Sequence, residues 1–388
     1  HHFQHFRHNA SIPTSLSSNK VTSIVEDHRK NIWVATFGGS VNRFNRATGN
    51  FEIFRCVNTA TGIENKNIWR LYQDRENNLW ATTFGNGKLY RFNYEMNRFE
   101  VFSQNLYDLI SFIEDRNGVL WAGNSRQLIR IDRQNKRHEF FEMGKPVRAI
   151  FEDKYENLWV GTEGGGIILF NRRTGKIMAQ YSDAEGLCNN SVLNILEDGQ
   201  GNLWLSTFNG LSRFNPSKKS FTNFYQSDGL QGNQFLYSSA IRLQSGELVF
   251  GGINGFTLFS PENIYPRSYM PPVFITSLRV NNSFVSENSS YINGISGNYI
   301  SSLRVPYNDA VLSVDFAALE YSSPDKITYG YFLEGWEKNW NYTQNLRTAS
   351  YTNLREGKYT LHIKSTNAEG AWNSRETILE IEVLPPWF

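Results

Sequence analysis

Along the first 260 residues the chain alternates between short apolar runs and clusters of Gly, Asn, Asp and Pro, and no apolar run holds a 3.6-residue period long enough for a helix. One phrase keeps returning. It reads Ile32-Trp33-Val34-Ala35-Thr36, Leu79-Trp80-Ala81-Thr82-Thr83, Leu120-Trp121-Ala122-Gly123, Leu158-Trp159-Val160-Gly161-Thr162 and Leu203-Trp204-Leu205-Ser206-Thr207, with a decayed sixth copy at Leu248-Val249-Phe250-Gly251-Gly252. The anchors at 33, 80, 121, 159, 204 and 249 lie 47, 41, 38, 45 and 45 residues apart. That period fits one four-stranded propeller blade.

The fifth copy shows the unit most clearly, with apolar segments at Val192–Glu197, Leu203–Thr207, Leu211–Asn215 and Ser220–Tyr225. Asp198-Gly199-Gln200-Gly201 and Asn209-Gly210 supply tight-turn residues between them, and Pro216 blocks continuation of a ladder. The expected architecture is all-β. It begins with a β-propeller over residues 1–270, with six recognisable four-stranded blades and seven possible in the intact ring. His2–His8 resembles the fourth strand of a blade. It either completes the sixth blade, or a blade lies upstream and the ring has seven.

The recurring Trp is expected to fill the wedge between neighbouring blades, where one indole removes a large apolar area from water. The acidic phrase before it, as in Glu26-Asp27, Glu114-Asp115 and Glu197-Asp198, looks like a carboxylate pair. Its recurrence at one turn points instead to capping of backbone N–H groups.

From Pro271-Pro272 the period disappears and a new alternation starts at Val273–Val280, placing a boundary near 264–272. Segments Ala310–Leu319, Ile327–Leu333, Ala349–Tyr351, Gly357–Ser365 and Thr377–Val383 read as strands of an immunoglobulin/fibronectin-like β-sandwich over 271–388. Leu354-Arg355-Glu356-Gly357-Lys358-Tyr359 has the form of a tyrosine corner, which makes Tyr359 structural.

Composition narrows the function. Thirty-nine Lys and Arg stand against 37 Asp and Glu, for a net charge of +2 without a dense basic run, so nucleic acid is a poor partner. Cys56 and Cys188 are distant from each other and read as incidental thiols, and no metal site or cofactor is expected. Of seven histidines, four crowd into the first eight residues, and no nucleophile–base spacing appears, so no catalytic residue is expected. The chain starts inside a strand-like pattern and stops abruptly at Leu384-Pro385-Pro386-Trp387-Phe388, which reads as a piece of something longer.

Comparison of blades within the chain locates a variable face. The links 55–67, 103–108, 142–146, 182–191 and 226–237 hold 13, 6, 5, 10 and 12 residues, and they share a face with the hairpins between second and third strands. Function concentrates in such loops. Those hairpins include Phe37-Gly38, Phe84-Gly85-Asn86, Asn124-Ser125-Arg126, Glu163-Gly164 and Phe208-Asn209. On the innermost strands, positions equivalent to Thr22-Ser23 are mostly small or short, as at Leu193-Asn194, whereas Trp69, Arg70 and Arg148 are large. A sugar site needs an aromatic plate and planar donors. The candidate ligand-binding residues are therefore Trp69, Arg70, Arg148, Phe84, Asn86, Arg126, Glu163 and Asn194. Several have a plainer alternative: Trp69 as a channel plug, Arg70 and Arg148 as partners of neighbouring carboxylates such as Glu163, and Phe37, Phe84 and Phe208 as loop-packing residues.

The blade phrase, the run Tyr329-Gly330-Tyr331-Phe332-Leu333-Glu334-Gly335-Trp336, and the later Ala349–Leu354 and Gly357-Lys358-Tyr359 together carry a resemblance. They resemble the two-component-regulator propeller repeats and three-tyrosine domain of hybrid two-component sensors of Bacteroidetes. The resemblance implies a periplasmic sensor ectodomain, with an upstream propeller before it and a membrane-spanning helix and histidine kinase after it. It also implies an oligosaccharide ligand and a homodimer formed through the C-terminal domain. The competing class is a non-catalytic protein–protein scaffold.

Overall fold

The computed structural model describes residues 4–264, 270–286, 288–297, 299–320, 324–368 and 370–386. The chain divides into two compact units, His1–Asn263 and Ile264–Phe388.

The first unit is a series of antiparallel sheets, each built from strands in sequential order. Blade one pairs Val21–Glu26, Ile32–Thr36, Val41–Phe44 and Phe51–Phe54; blades two to five repeat this order from Ile68, Ser111, Val147 and Val192. Blade six has three strands, Phe235–Arg242, Leu248–Gly252 and Gly255–Phe259. Residues 1–3 of the segment expected to supply a fourth strand lie outside the described residues. The rest of it does not join blade six: Phe6 packs edge-on against Phe44 and Phe51 of blade one, 5.0 and 5.7 Å between ring centroids. Aromatic packing, not ladder pairing, holds this segment.

Trp33, Trp80, Trp121, Trp159 and Trp204 are all buried, and each indole meets the next blade. Trp33, for example, lies 4.8 Å from Phe92 and shares a cluster with Leu71, both in blade two. The aspartate six residues earlier does two jobs. In blade five, Asp198 Oδ1 accepts the N–H groups of Gln200 and Asn202, capping the turn, while Oδ2 accepts the indole N–H of Trp204 at 2.9 Å. The repeated carboxylates are thus structural, and the turn ties itself to the wedge.

Three of these aspartates are also clasped from the following blade. Tyr94 donates to Asp27 at 3.2 Å, Arg133 to Asp74 at 3.1 Å and Arg172 to Asp115 at 2.8 Å, all from the position that closes the third strand. In blades five and six that position is Pro216 and Pro261, which have no donor to offer.

The outer flank of blade one is bare. Ile24 is 65% exposed, whereas its ladder equivalents Leu71, Phe112, Ile150 and Ile195 are buried against a preceding blade. Blade six shows the complement, with Phe256 exposed where the equivalent Leu211 of blade five is buried.

The second unit is a sandwich. One sheet has the order Ser283–Phe284, Val273–Val280, Leu312–Ala318, Thr348–Tyr351; the other runs Ile292–Ser296, Tyr299–Val305, Thr377–Val383, Gly357–Ser365, Tyr329–Glu334, Asn341–Thr343. Period-two burial fills the space between them with Leu312, Val314 and Phe316 from one side and Leu361, Ile363, Leu379 and Ile381 from the other. Tyr359 donates to the carbonyl of Arg355 at 2.8 Å, forming the tyrosine corner.

Candidate functional site

In four of the four-stranded blades the first strand carries an irregularity that turns one side chain out of the ladder. The ladder skips one residue between Val21 and Ser23, Ile68 and Arg70, Val147 and Ala149, and Val192 and Asn194. An unpaired bulge residue leaves the pleat and can be redirected. The bulged residues are Thr22, Trp69, Arg148 and Leu193. Blade six has a larger irregularity, jumping from Phe235 to Ala240, with Ser238 at φ 51°. Tyr237 lies within it.

These bulges and the adjoining hairpins build one aromatic cluster. Trp69 lies 6.4 Å from Phe37, 5.7 Å from Phe84 and 6.0 Å from Tyr237, measured between ring centroids. Tyr237 lies 5.7 Å from Phe208. Phe37, Phe84 and Phe208 occupy the same place, directly after the second strand, in blades one, two and five. The Trp69 indole N–H is fixed by the carbonyl of Ile110 at 3.0 Å, so the ring is oriented by the protein and its face remains for packing.

Blade four contributes charge to the same cluster. Glu163 holds the place that phenylalanine holds elsewhere, and Arg148 Nε donates to its Oε2 at 2.5 Å. The guanidinium lies 4.3 Å from the centre of the Tyr237 ring, and the Tyr237 hydroxyl donates to Glu163 at 3.4 Å. Burial, the largest influence, raises the Tyr237 phenol above its ordinary value, with nearby Glu163 adding to it and Arg148 opposing, so the hydroxyl stays protonated and able to donate.

The structure therefore brings together Trp69, Phe84, Arg148 and Glu163, and adds Phe37, Phe208 and Tyr237. Arg148 takes the carboxylate partner foreseen for it. The other candidates sit elsewhere. Arg126 pairs with Glu142 at 3.1 Å on the surface of blade three. Asn86 is an exposed turn residue at φ 63°. Asn194 is a strut, donating to Ser206 and to the carbonyl of Leu236, both at 2.8 Å, and accepting the Ser239 N–H. Arg70 follows Trp69 in the same strand, at the edge of the cluster, and touches none of its rings. Tyr237 was hidden by counting from the blade anchor, which put Ser239-Ala240 at the channel; the signal for Phe37, Phe84 and Phe208 was their common place after the second strand.

Chemically, the cluster offers ring faces for an apolar surface and a fork of donor and acceptor beside them. Among the described residues, no group of three or more His, Cys, Asp or Glu is placed to hold a metal.

Two family matches bear on this arrangement. The two component regulator propeller repeat matches residues 15–38, 62–85, 142–164 and 186–209, and the Y_Y_Y domain matches residues 320–384. The chain carries two component regulator propeller repeats followed by a Y_Y_Y domain. The resemblance read from the blade phrase and the tyrosine-rich run is thereby confirmed. The chain is 30% identical over 292 residues to "Histidine kinase P4" of Formosa agariphila, a match covering 71% of the chain and 21% of that relative. Two solved extracellular domains assigned to hybrid two component systems of B. thetaiotaomicron share the fold. One is 22% identical with a TM-score of 0.51, covering 98% of this chain and 57% of that one. The other is 24% identical with a TM-score of 0.54, covering 98% and 52%. The chain thus spans about a fifth of its curated relative and little more than half of either solved domain. Among the described residues, no helix is long and apolar enough to cross a membrane.

Proposed function

We propose that this chain is the ligand-sensing part of the periplasmic ectodomain of a membrane-anchored hybrid two-component histidine kinase. Its ligand is an oligosaccharide held at the aromatic mouth of the propeller, and its output is control of carbohydrate-utilisation genes. The chain itself recognises and relays, and the chemistry belongs to a kinase elsewhere in the protein. An upstream propeller and a second copy, docked through the C-terminal unit, complete the assembly in this reading.

One observation carries the reading. Five aromatic rings from blades one, two, five and six converge beside the Arg148–Glu163 pair of blade four. Pyranose rings present an apolar face ringed by hydroxyls, and such a surface pairs with aromatic plates flanked by planar donors and acceptors. The relatives, a histidine kinase and the extracellular domains of hybrid systems, agree with a sensor.

Calorimetry of the full chain against a panel of oligosaccharides tests this. Binding by at least one, weakened about tenfold or more by Trp69→Ala with an unchanged melting midpoint, is the expected result; silence across the panel by well-folded protein would overturn it.

The bare flanks at Ile24 and Phe256 favour one alternative, a non-catalytic scaffold that docks another protein surface. Light scattering on the wild type and on Phe256→Ser separates the two readings. Scaffolding through this flank requires association that the substitution abolishes.

A further inference from the structure

At the rung of Ser23, blades one, three and five close the seam to the next blade with a short polar side chain, and blade four has Ala149 there. Ser23 Oγ accepts the Leu71 N–H at 3.2 Å, Ser111 Oγ donates to the Val147 carbonyl at 2.8 Å, and Asn194 bonds both Leu236 and Ser239. In blade two the same position is Arg70.

Arg70 makes no such bond. Among the described residues its guanidinium has neither a hydrogen-bond partner nor a carboxylate. Burial pulls it below the ordinary arginine value, and the only influence opposing this is the phenol of Tyr72, on the same side of the strand. An arginine carries five donors and remains charged, so leaving it half-buried without an acceptor is costly.

Its cross-strand partner is equally unsatisfied. Arg70 faces Thr82 across the ladder, and the Thr82 hydroxyl is buried with no partner. In blade five the matching rung is sealed, because Asn194 donates to Ser206. The rung in blade two therefore carries a cation and a buried hydroxyl that do not bond each other, and no carboxylate. Beside it stands Trp69, whose indole is pinned to Ile110 at the start of blade three, across the seam that Tyr72 also faces through its hydrogen bond to the Glu114 N–H. Arg148, the other large cation of the site, is already neutralised by Glu163.

We infer that Arg70 forms an oxyanion subsite beside Trp69, and that the ligand is an acidic saccharide carrying a carboxylate or a sulfate ester. The inference rests on the oligosaccharide reading above. An oxyanion supplies the negative charge the rung lacks: two lone-pair-bearing oxygens match the guanidinium fork, and a charge-assisted pair of this kind shielded from bulk water is stronger than a neutral bond. The uronic acid and sulfated sources share that chemistry, so the experiment separates them.

The full chain is titrated calorimetrically with three tetrasaccharides of equal length: neutral, uronic acid-containing and sulfated. A preference of about tenfold to a hundredfold for one acidic series, lost in Arg70→Gln and partly kept in Arg70→Lys, is expected. The series that shows the larger preference identifies the source. Equal affinity for neutral and acidic probes, or a preference that survives Arg70→Gln, overturns the subsite and leaves saccharide sensing standing. A second measurement uses inorganic sulfate against chloride at matched ionic strength. Sulfate stabilises folded proteins generally, so the readout is the difference between wild type and Arg70→Gln in the thermal midpoint. A larger sulfate-induced rise in the wild type supports the subsite even if no saccharide binds, in which case only the saccharide reading falls. Identical rises in both proteins count against the subsite.

Discussion

Asp27 accepts the indole N–H of Trp33 at 2.8 Å, and the same bond recurs from Asp74 to Trp80, Asp115 to Trp121, Asp153 to Trp159 and Asp198 to Trp204. A buried indole N–H without a partner costs about 1–3 kcal/mol. The turn that precedes the strand supplies that partner from within the same blade, so each repeat satisfies its own wedge residue before meeting a neighbour. This explains why Asp and Trp are kept at a spacing of six while link lengths vary.

The blades differ in what else the aspartate holds. Asp115 also receives Arg172 at 2.8 Å, whereas no arginine pairs with Asp153 among the described residues. Both substitutions to alanine strip a turn cap and an indole acceptor, a loss of about 2–3 kcal/mol. Asp115→Ala additionally deprives a mostly buried guanidinium of one of its two carboxylates. It is expected to be more destabilising than Asp153→Ala by about 1 kcal/mol, read from urea unfolding midpoints. Equal losses would show that the clasp between blades three and four carries no energy.

The bare flank of blade one predicts a second asymmetry. Leu71→Ala removes a side chain buried against Trp33 and is expected to cost about 2–5 kcal/mol. Ile24→Ala, at the equivalent rung, should fall within about 0.5 kcal/mol of wild type, because Ile24 is already in water. The same urea experiment on the full chain compares them. A large loss at Ile24 would mean that this flank is covered in solution.

Much of this architecture was legible because one bulky side chain recurs. An indole at fixed distance from a turn aspartate marks a blade even where loops differ in length. Blade six lost that marker, with Val249 in the anchor place, and its strand count was correspondingly harder to read. The site was legible where a large residue stood among small ones, as Trp69 and Arg148 do. Tyr237 was not, because four residues of blade six, 236–239, oppose a single residue of its partner strand, and counting from the anchor steps past them. In the second unit, Ile292–Ser296 and Tyr299–Val305 escaped notice because Ser, Asn and Gly dilute the β-forming residues there.

His138 predicts a pH dependence. Its Nδ1 accepts the Asp132 N–H at 3.2 Å, so the proton sits on Nε2, which donates to Ser103 at 3.2 Å. Burial, the largest influence, pulls its pKa below the usual imidazole value, outweighing the attraction of Asp132. The unfolded chain therefore binds more protons than the folded one as pH falls below about 6.5. Stability is full above that pH and declines below it. His138→Gln should flatten the slope of the urea midpoint between about pH 7.5 and 5.5. An unchanged slope would assign that dependence to other groups.

Tyr237 offers the sharpest test of how the site is assembled, because it joins the aromatic cluster to the charged pair. Its ring meets Trp69, Phe208 and the Arg148 guanidinium, while its hydroxyl reaches Glu163 at 3.4 Å. Tyr237→Phe keeps every ring contact and removes only a long, weak hydrogen bond, so it should alter oligosaccharide affinity by no more than about threefold. Tyr237→Ala removes the plate itself, at about 1–3 kcal/mol, or roughly tenfold to a hundredfold in affinity. The salt link between Arg148 and Glu163 at 2.5 Å stays intact in both variants, so the fold around blade four should hold. Calorimetry with the tightest-binding probe reads the ratio between them. If phenylalanine is as damaging as alanine, the hydroxyl is the ligand contact and the ring only its support.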